Sequence, residues 1–285
     1  MRRLIATLAC TAAIGAVAPA LATPAHAQAP AADPVSALKK QFVTGHGVAF
    51  SERTTLGDGD YSTVMVRRTG KFLFGKRGVA ASDISTKFNL TASQREDLSE
   101  EIRDFFAPEQ TIRVGTTAYF KGGFFGSFLP ADKTWLRIPG GPQSGAVGTM
   151  GQVIGVTEPE TLKTLLAHGK KVSGGYTGTT TFGELWKVSK WFRGTLFDQK
   201  PKAAQSKTKV TWKLFTNAKG VVTRVVSSHS GSASGLSGSK LTTDTVFTGW
   251  GRTVSIKAPA AKDVASITDL DLDTEDTSIP SVTIN

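Results

Sequence analysis

The chain has 285 residues, 34 Lys+Arg against 23 Asp+Glu, a single Cys, 39% apolar residues and 20% charged residues. That balance suits a globular protein and excludes wholesale disorder; thirty Gly beside three Met and four His argue against a helical bundle, a collagen-like fibre and a multi-span membrane protein. The formal net charge of +11 is spread unevenly along the chain.

Met1-Arg2-Arg3, the Ala-rich run from Leu4 to Leu21 and Ala25-His26-Ala27 before Gln28 have the layout of a secretory signal peptide, residues 1–27, cleaved after Ala27. Pro19, Pro24 and the weak hydrophobicity of Ala argue against a permanent span. Cys10 would leave with this leader, so the mature chain would have no disulfide, no thiol nucleophile and no Cys-ligated metal. Residues 28–33 read as a flexible Ala/Pro leader, 34–262 as one domain, and 263–285 as an acidic, disordered tail with six acids and no Lys or Arg. The body from Gln28 to Lys262 then holds 32 basic and 17 acidic residues, a net +15. Outside the cytoplasm such a body would be drawn to anionic lipid headgroups or acidic wall polymers, whereas nucleic acid is rarely met there.

A short helix is predicted over Pro34–Phe42, with Asp33 as N-cap and Pro34 in the first turn. Strands follow at Val48–Leu56, Tyr61–Arg68 and Lys71–Phe74, with turns at Gly57–Asp60 and Thr69-Gly70. Val48, Phe50, Glu52 and Thr54 share one side of the first. Thr91–Phe106 reads as a helix opened by a Thr91/Gln94 capping box and ended by Pro108. Thr111–Lys121 reads as one strand with Lys133–Ile138 as its partner, and the loop between them carries Phe124, Phe125 and Phe128. Gly140–Gly155 is a Gly-rich loop. Glu158–His168 is a helix capped by Thr157, Tyr176–Val188 a strand, and Ser189–Phe197 a short helix. Lys209–Asn217 and Gly220–Ser228 form a hairpin, Ser227–Lys240 a mobile Ser/Gly loop, and Leu241–Phe247 and Arg252–Ile256 the last strands. The fold class is α+β, a mostly antiparallel sheet with helices on one face.

Catalytic and metal signatures are weak. Gly70–Arg77 nearly spells a phosphate loop, but Arg77 stands where Ser or Thr should hold Mg²⁺ and no helix clearly follows. Asp269–Asp273 resembles a calcium loop but lacks its Gly and closing Glu. His46, His168 and His229 are far apart and lack metal-ligand spacing. His229, between Ser228 and Ser230, would need a rigid elbow and an oxyanion hole to serve a nucleophile. The aromatic groups Phe124/Phe125/Phe128 and Trp186/Trp191/Phe192 either cap the core or frame the mouth of an apolar pocket.

Gly47-Val48-Ala49-Phe50-Ser51-Glu52, Thr116–Lys121 followed by Lys133-Thr134-Trp135-Leu136-Arg137, Gly174–Thr180 and Phe247–Pro259 together resemble the strand segments of the LppX/LprG-type lipoprotein carriers of actinobacteria, which share the LolA/LolB-like fold. The resemblance spans most of Pro34–Lys262. It implies a curved, mostly antiparallel sheet, a half-barrel wrapped around a few helices, with an apolar cavity between them that carries acyl chains. The carriers are usually tethered by a lipidated Cys; here Ala27-Gln28 stands in its place, which implies a protein released from the cell or loosely held at its surface. On this reading the chain is a secreted, non-enzymatic, monomeric binder of a lipid or other apolar ligand, with no cofactor, no metal and no nucleic-acid partner. Phe50, Val64, Val66, Phe74, Leu98, Ile102, Phe105, Ile112 and Val114 are the candidate lining residues, and basic residues at the rim would suit an anionic headgroup. The competing reading is an envelope interaction or sensing protein with a filled core. A Ser, a His and an acid converging in a cleft would point instead to a hydrolase.

Overall fold

The Asp33 carboxylate accepts the Ser36 N–H at 2.8 Å and Pro34 occupies the first helical position, so α1 (Pro34–Lys39) begins where the capping chemistry places it. The computed structural model describes residues 33–58, 61–236 and 238–270. The expected signal peptide (1–27), residues 28–32 of the expected leader and residues 271–285 of the expected acidic tail lie outside the described residues.

Three long strands follow: β1 (His46–Asp58), β2 (Tyr61–Gly75) and β3 (Gly78–Phe88). Thr69-Gly70 is not a turn but lies inside β2, which runs unbroken for 15 residues. Gly70 is needed there because the Phe50 ring covers it: a Cβ would stand 2.7 Å from Phe50 Cε1 and 2.8 Å from the Asp83 carbonyl oxygen. This glycine marks a close approach rather than a reversal. The chain reverses instead at Gly75–Gly78, within the run that resembles a phosphate loop, and a strand rather than a helix follows.

The Thr91/Gln94 capping box forms, but the helix expected over 91–106 divides into α2 (Ala92–Glu96) and α3 (Glu100–Phe105). Ser99 is extended (φ −60°, ψ 158°), and Arg103 donates to the Arg95 and Leu98 carbonyls at 3.2 and 3.0 Å, satisfying acceptors at the break. The strand expected over 111–121 is a hairpin, β4 (Glu109–Val114) and β5 (Thr117–Gly122), turned where Gly115 adopts φ +61°. Next come the single helical turn α4 (Gly123–Gly126) and β6 (Trp135–Pro139). Residues 140–157 contain no strand and no α-helix, only one 3₁₀ turn at Gly148–Met150.

Glu158, not Thr157, stands at the N-cap of α5 (Pro159–His168). After β7 (Lys170–Val172) and β8 (Gly175–Thr181), the strand expected to reach Val188 gives way to α6 (Phe182–Val188). The cause is local: the Thr181 hydroxyl accepts the Glu184 N–H at 3.2 Å and Glu184 accepts the Thr181 N–H at 2.9 Å, a capping box that alternation hid. Then follow α7 (Lys190–Thr195), α8 (Ala203–Ser206), β9 (Lys209–Thr216), β10 (Val222–Ser230), β11 (Lys240–Thr253) and β12 (Val264–Ser266). The first four residues of the Ser/Gly run read as a mobile loop instead complete β10, with Ser227 and His229 buried. The last two expected strands merge into β11, and the start of the expected tail forms β12.

All twelve strands belong to one open, curved sheet in the order β12-β6-β5-β4-β3-β2-β1-β11-β10-β9-β8-β7. Every neighbouring pair is antiparallel except β12–β6. The inner face packs on the helices through Phe72, Phe74, Leu162, Leu165, Leu185 and Phe192. Beyond β11 the Val254 N–H donates to the Gly45 carbonyl, and the chain regains the sheet at β6, where Thr134 N–H donates to the Asp263 carbonyl, both at 3.0 Å. Five strands lie between β11 and β6 in the sheet order, so this strap ties its two halves together.

Gly70→Ala is expected to lower stability by about 1–3 kcal/mol, because the added methyl has Phe50 on one side and backbone on the other. Urea unfolding followed by Trp fluorescence measures it; an unchanged midpoint would mean that Phe50 has room to move.

Candidate functional site

On the inner face two apolar fields meet a polar belt. Phe50, Phe72, Phe74, Trp212 and Phe247 belong to the larger field, and Val66, Phe88, Phe105, Val147 and Met150 to the smaller. On β2, Arg68 stands between Val66 and Phe72; on β3, Thr86 stands between Ile84 and Phe88. The strand register places Glu52 directly between Arg68 on β2 and Thr245 on β11.

Arg68 and Glu52 form an ion pair at 3.2 Å with side chains 1% and 2% exposed. Burying both ions is costly unless their remaining donors and acceptors are met. Thr245 donates to the second Glu52 oxygen at 2.9 Å. The remaining partners come from the 140–157 segment. Arg68 Nη2 donates to the Ser144 carbonyl at 2.6 Å, and the Gln152 N–H donates to Glu52 at 3.2 Å. Gln152 extends the network, donating to Thr245 at 3.2 Å and accepting from Ser227 at 2.8 Å and from the Ile154 N–H at 3.1 Å. The Trp191 indole N–H donates to the Gln152 carbonyl at 2.6 Å, and its ring lies 5.9 Å from the Arg68 guanidinium carbon. Arg68 Nε is buried with no partner among the described residues.

A second clamp lies on β4. Glu109 accepts the Thr111 hydroxyl at 2.9 Å and the Ala146 N–H at 3.1 Å. Burial pushes its carboxyl above the ordinary value, against the pull of those hydrogen bonds and of Arg68. Gly151 and Gly145 let the segment lie this close, since a Cβ on either would collide with Arg68 or Glu109. Glu158 fastens the segment's far end, accepting from Ser189 at 2.6 Å and from the Trp191 N–H at 2.7 Å.

The result is a filled interior. Where the resemblance implied an apolar cavity, a void of about 20 Å³ remains, bounded by Phe50, Phe72, Gln152, Trp191 and Phe247. That is room for about one water molecule, far short of an acyl chain.

Of the nine candidate lining residues, Phe50 borders this void. Phe74 belongs to the larger apolar field, and Val66 and Phe105 to the smaller one. Val64, Leu98 and Ile102 are half-buried. Ile112 and Val114 fall on the outer face, Val114 being 36% exposed, because the inner positions of β4 belong to Glu109 and Thr111. Arg68, Glu109, Gln152 and Trp191 are functional-site residues absent from that set. Glu52 left a signal, a carboxylate in the same alternating register as Val48 and Phe50, and Trp191 left one as a member of the Trp186/Trp191/Phe192 group; Arg68, Glu109 and Gln152 left none.

His46, His168 and His229 do not converge, and no group of three or more His, Cys, Asp or Glu able to hold a metal occurs among the described residues. His229 Nδ1 lies 3.0 Å from the Ser230 carbonyl oxygen, not from a Ser hydroxyl, and its ring meets Phe182 edge-on at 5.2 Å. Burial lowers its pKa from the ordinary 6.5.

No family model and no curated protein matches the chain. Among solved structures it is similar to a LolA superfamily protein from Nitrosomonas europaea, at 7% identity and TM-score 0.30, covering 79% of this chain and 93% of that one. A DUF1329 family protein from Desulfovibrio piger matches at 12% identity and TM-score 0.30, covering 79% and 95%. An outer membrane lipoprotein-sorting protein domain from Vibrio parahaemolyticus matches at 10% identity and TM-score 0.27, covering 76% and 90%. At such scores the likeness carries no argument, and the architecture rests on the strand order itself.

Arg68→Met is expected to cost about 3–5 kcal/mol by stranding a buried carboxylate, and Arg68→Met combined with Glu52→Leu to recover part of that loss. A double-mutant cycle in urea tests this; simple additivity of the two single losses would count against a coupled pair.

His229 predicts a pH trend. Its folded pKa is lowered, so its contribution is fully present above the ordinary 6.5 and is lost as pH falls through that value toward the folded one. Glu109, raised above 4.5, runs the other way, its contribution being lost as pH rises through its folded value. Comparing wild type with His229→Phe cancels Glu109. The variant's urea midpoint should fall less between about pH 7.5 and about pH 5.5, and parallel curves would contradict the assignment.

Proposed function

We propose that this protein is a secreted, non-enzymatic binder of an apolar ligand, an acyl chain, which occupies the inner face of the sheet when the 140–157 segment leaves it. The observation that carries the reading is how that segment is held. It has neither strand nor α-helix, yet it covers the inner face, fastened by side chains of the sheet to its backbone at Ser144, Ala146 and Gln152. Each such bond is worth only about 0.5–1.5 kcal/mol net, or up to about 3 where a charged group takes part. The segment's apolar residues, Val147, Met150, Val153 and Ile154, cover surface that an acyl chain could cover instead, at about 0.8 kcal/mol per buried CH₂. The layout of residues 1–27 supports export, and Gln28 in place of a lipidated Cys supports release or loose retention at the cell surface.

The second reading, an envelope interaction protein with a permanently packed core, is favoured by the small volume of the void. Native mass spectrometry after incubation with phosphatidylglycerol vesicles separates the two. The proposal expects one added lipid mass, removable by solvent, together with faster deuterium exchange at the Ala146 and Gln152 amides. A bare mass with unchanged exchange would overturn it in favour of the packed core.

A further inference from the structure

A broad recess lies outside the sheet's interior. A cleft of about 740 Å³ separates α6 from the segment that runs from Lys200 to Ser206, against the 20 Å³ void within. Phe182 and Leu185 turn inward to the core, which leaves Trp186 and Lys187 facing the cleft. Trp186 is half-buried, one flank packed on the core. Its indole N–H has no partner among the described residues.

The cations of this cleft outnumber its acids three to one. Arg193 Nη1 donates to the Trp186 carbonyl at 2.8 Å and closes the end of α6, which fixes the guanidinium in the cleft wall. Lys187 and Lys200 are exposed beside it. None of the three forms an ion pair among the described residues. The one acid of the lining, Glu184, is engaged through one carboxylate oxygen with Thr180 and Thr181. The stretch 182–207 carries six basic residues and two acidic ones.

We propose that this cleft binds an acidic polysaccharide, a chain of sugars bearing carboxylates or phosphates. Trp186 would stack on the C–H face of a pyranose ring, since its indole is broad, apolar on its face and a hydrogen-bond donor at its edge. Lys187, Arg193 and Lys200 would meet the anionic substituents. Thr181 and Ser206 line the same cleft; the Thr181 hydroxyl accepts the Glu184 N–H and keeps a proton to donate, and the Ser206 hydroxyl donates to the Pro201 carbonyl at 3.1 Å and keeps lone pairs to accept a sugar hydroxyl. A bilayer surface fits less well, because the aromatic is recessed rather than presented to a plane. Single-stranded nucleic acid calls for a series of stacking rings, and this lining has one. This inference does not depend on an acyl ligand inside the sheet, and its assay contains no lipid in the primary arm.

The test is calorimetric titration of the full chain with oligogalacturonate and with a phosphate-bearing mannan, neutral dextran serving as the blank. Trp186→Ala and the double variant Lys187→Glu/Lys200→Glu are each expected to weaken binding about tenfold or more. Lys40→Glu/Lys257→Glu, exposed and outside the cleft lining, changes net charge equally and should stay within about twofold. Lys187 and Lys200 are exposed, so the double variant keeps the test decisive even if Trp186→Ala fails to fold. Binding to neither polymer, equal losses in both double variants, or unaltered binding by folded Trp186→Ala would overturn the proposal. So would binding of anionic vesicles or DNA through these residues with the saccharides left unbound.

Discussion

A carboxylate and a guanidinium removed from water on the inner face of a sheet set the terms for everything packed against them. Glu52 and Arg68 face each other across the β1–β2 register, and the sheet alone leaves their outer oxygen and nitrogen atoms short of partners. The missing partners are backbone groups of the 140–157 segment. Water in that position would mean a wet interior; a helix has already spent its N–H and C=O groups on itself. An irregular segment is therefore the structure that can answer both charges, which is why a Gly-rich stretch without helix or strand lies in the middle of the core.

From this pairing the shape of the interior follows. The segment must approach the sheet closely, and Gly145 and Gly151 permit it where any side chain would strike Glu109 or Arg68. With the segment seated, the apolar fields on either side of the belt are covered by Val147, Met150, Val153 and Ile154. Trp191 joins the two systems, its ring packed in the core and its N–H on the Gln152 carbonyl. A polar fastening can exchange partners at small net cost, whereas an apolar core pulled apart exposes its whole area. The proposed uptake of an acyl chain depends on that asymmetry.

The surface obeys a different constraint. A body with a formal net +15 between Gln28 and Lys262 repels itself and draws anions. Many of its basic residues lie on exposed strand positions. Around α6 and α7 positive charge is gathered beside a half-buried indole in a recess, and this concentration distinguishes the cleft from the rest of the basic surface. Interior and cleft share one helix: Leu185 belongs to the core, Lys187 to the cleft, and Trp186 bridges them with one flank on each.

Local chemistry decided much of the chain before any tertiary contact. Alternation announced β1, and a turn between two strand-like runs announced the β9–β10 hairpin; Asp33-Pro34 and Thr91/Gln94 announced two helix starts; and the predominance of strands over short helices announced a mostly antiparallel α+β fold. The sequence alone also carried the excess of basic residues. Some errors arose where a residue answered to a partner remote in sequence, others where a local signal, the Thr181/Glu184 capping box or the reversal at Gly115, lay inside a strand-like run. Gly70 read as a turn because its Cβ is excluded by Phe50, twenty residues earlier, and by the neighbouring strand. Thr111–Lys121 read as one strand because apolar alternation continues across the reversal at Gly115. The candidate site was legible only in part, since Phe50 and Glu52 lie on the first strand in plain alternation and Trp191 stands in an aromatic group, while Arg68, Glu109 and Gln152 acquire meaning only once the sheet brings them together. Periodicity tells which face a side chain occupies, because the backbone repeat is local. Whether that face holds a cavity or the chain's own segment depends on contacts up to a hundred residues away, such as Glu52 with Gln152, and these only the tertiary structure decides.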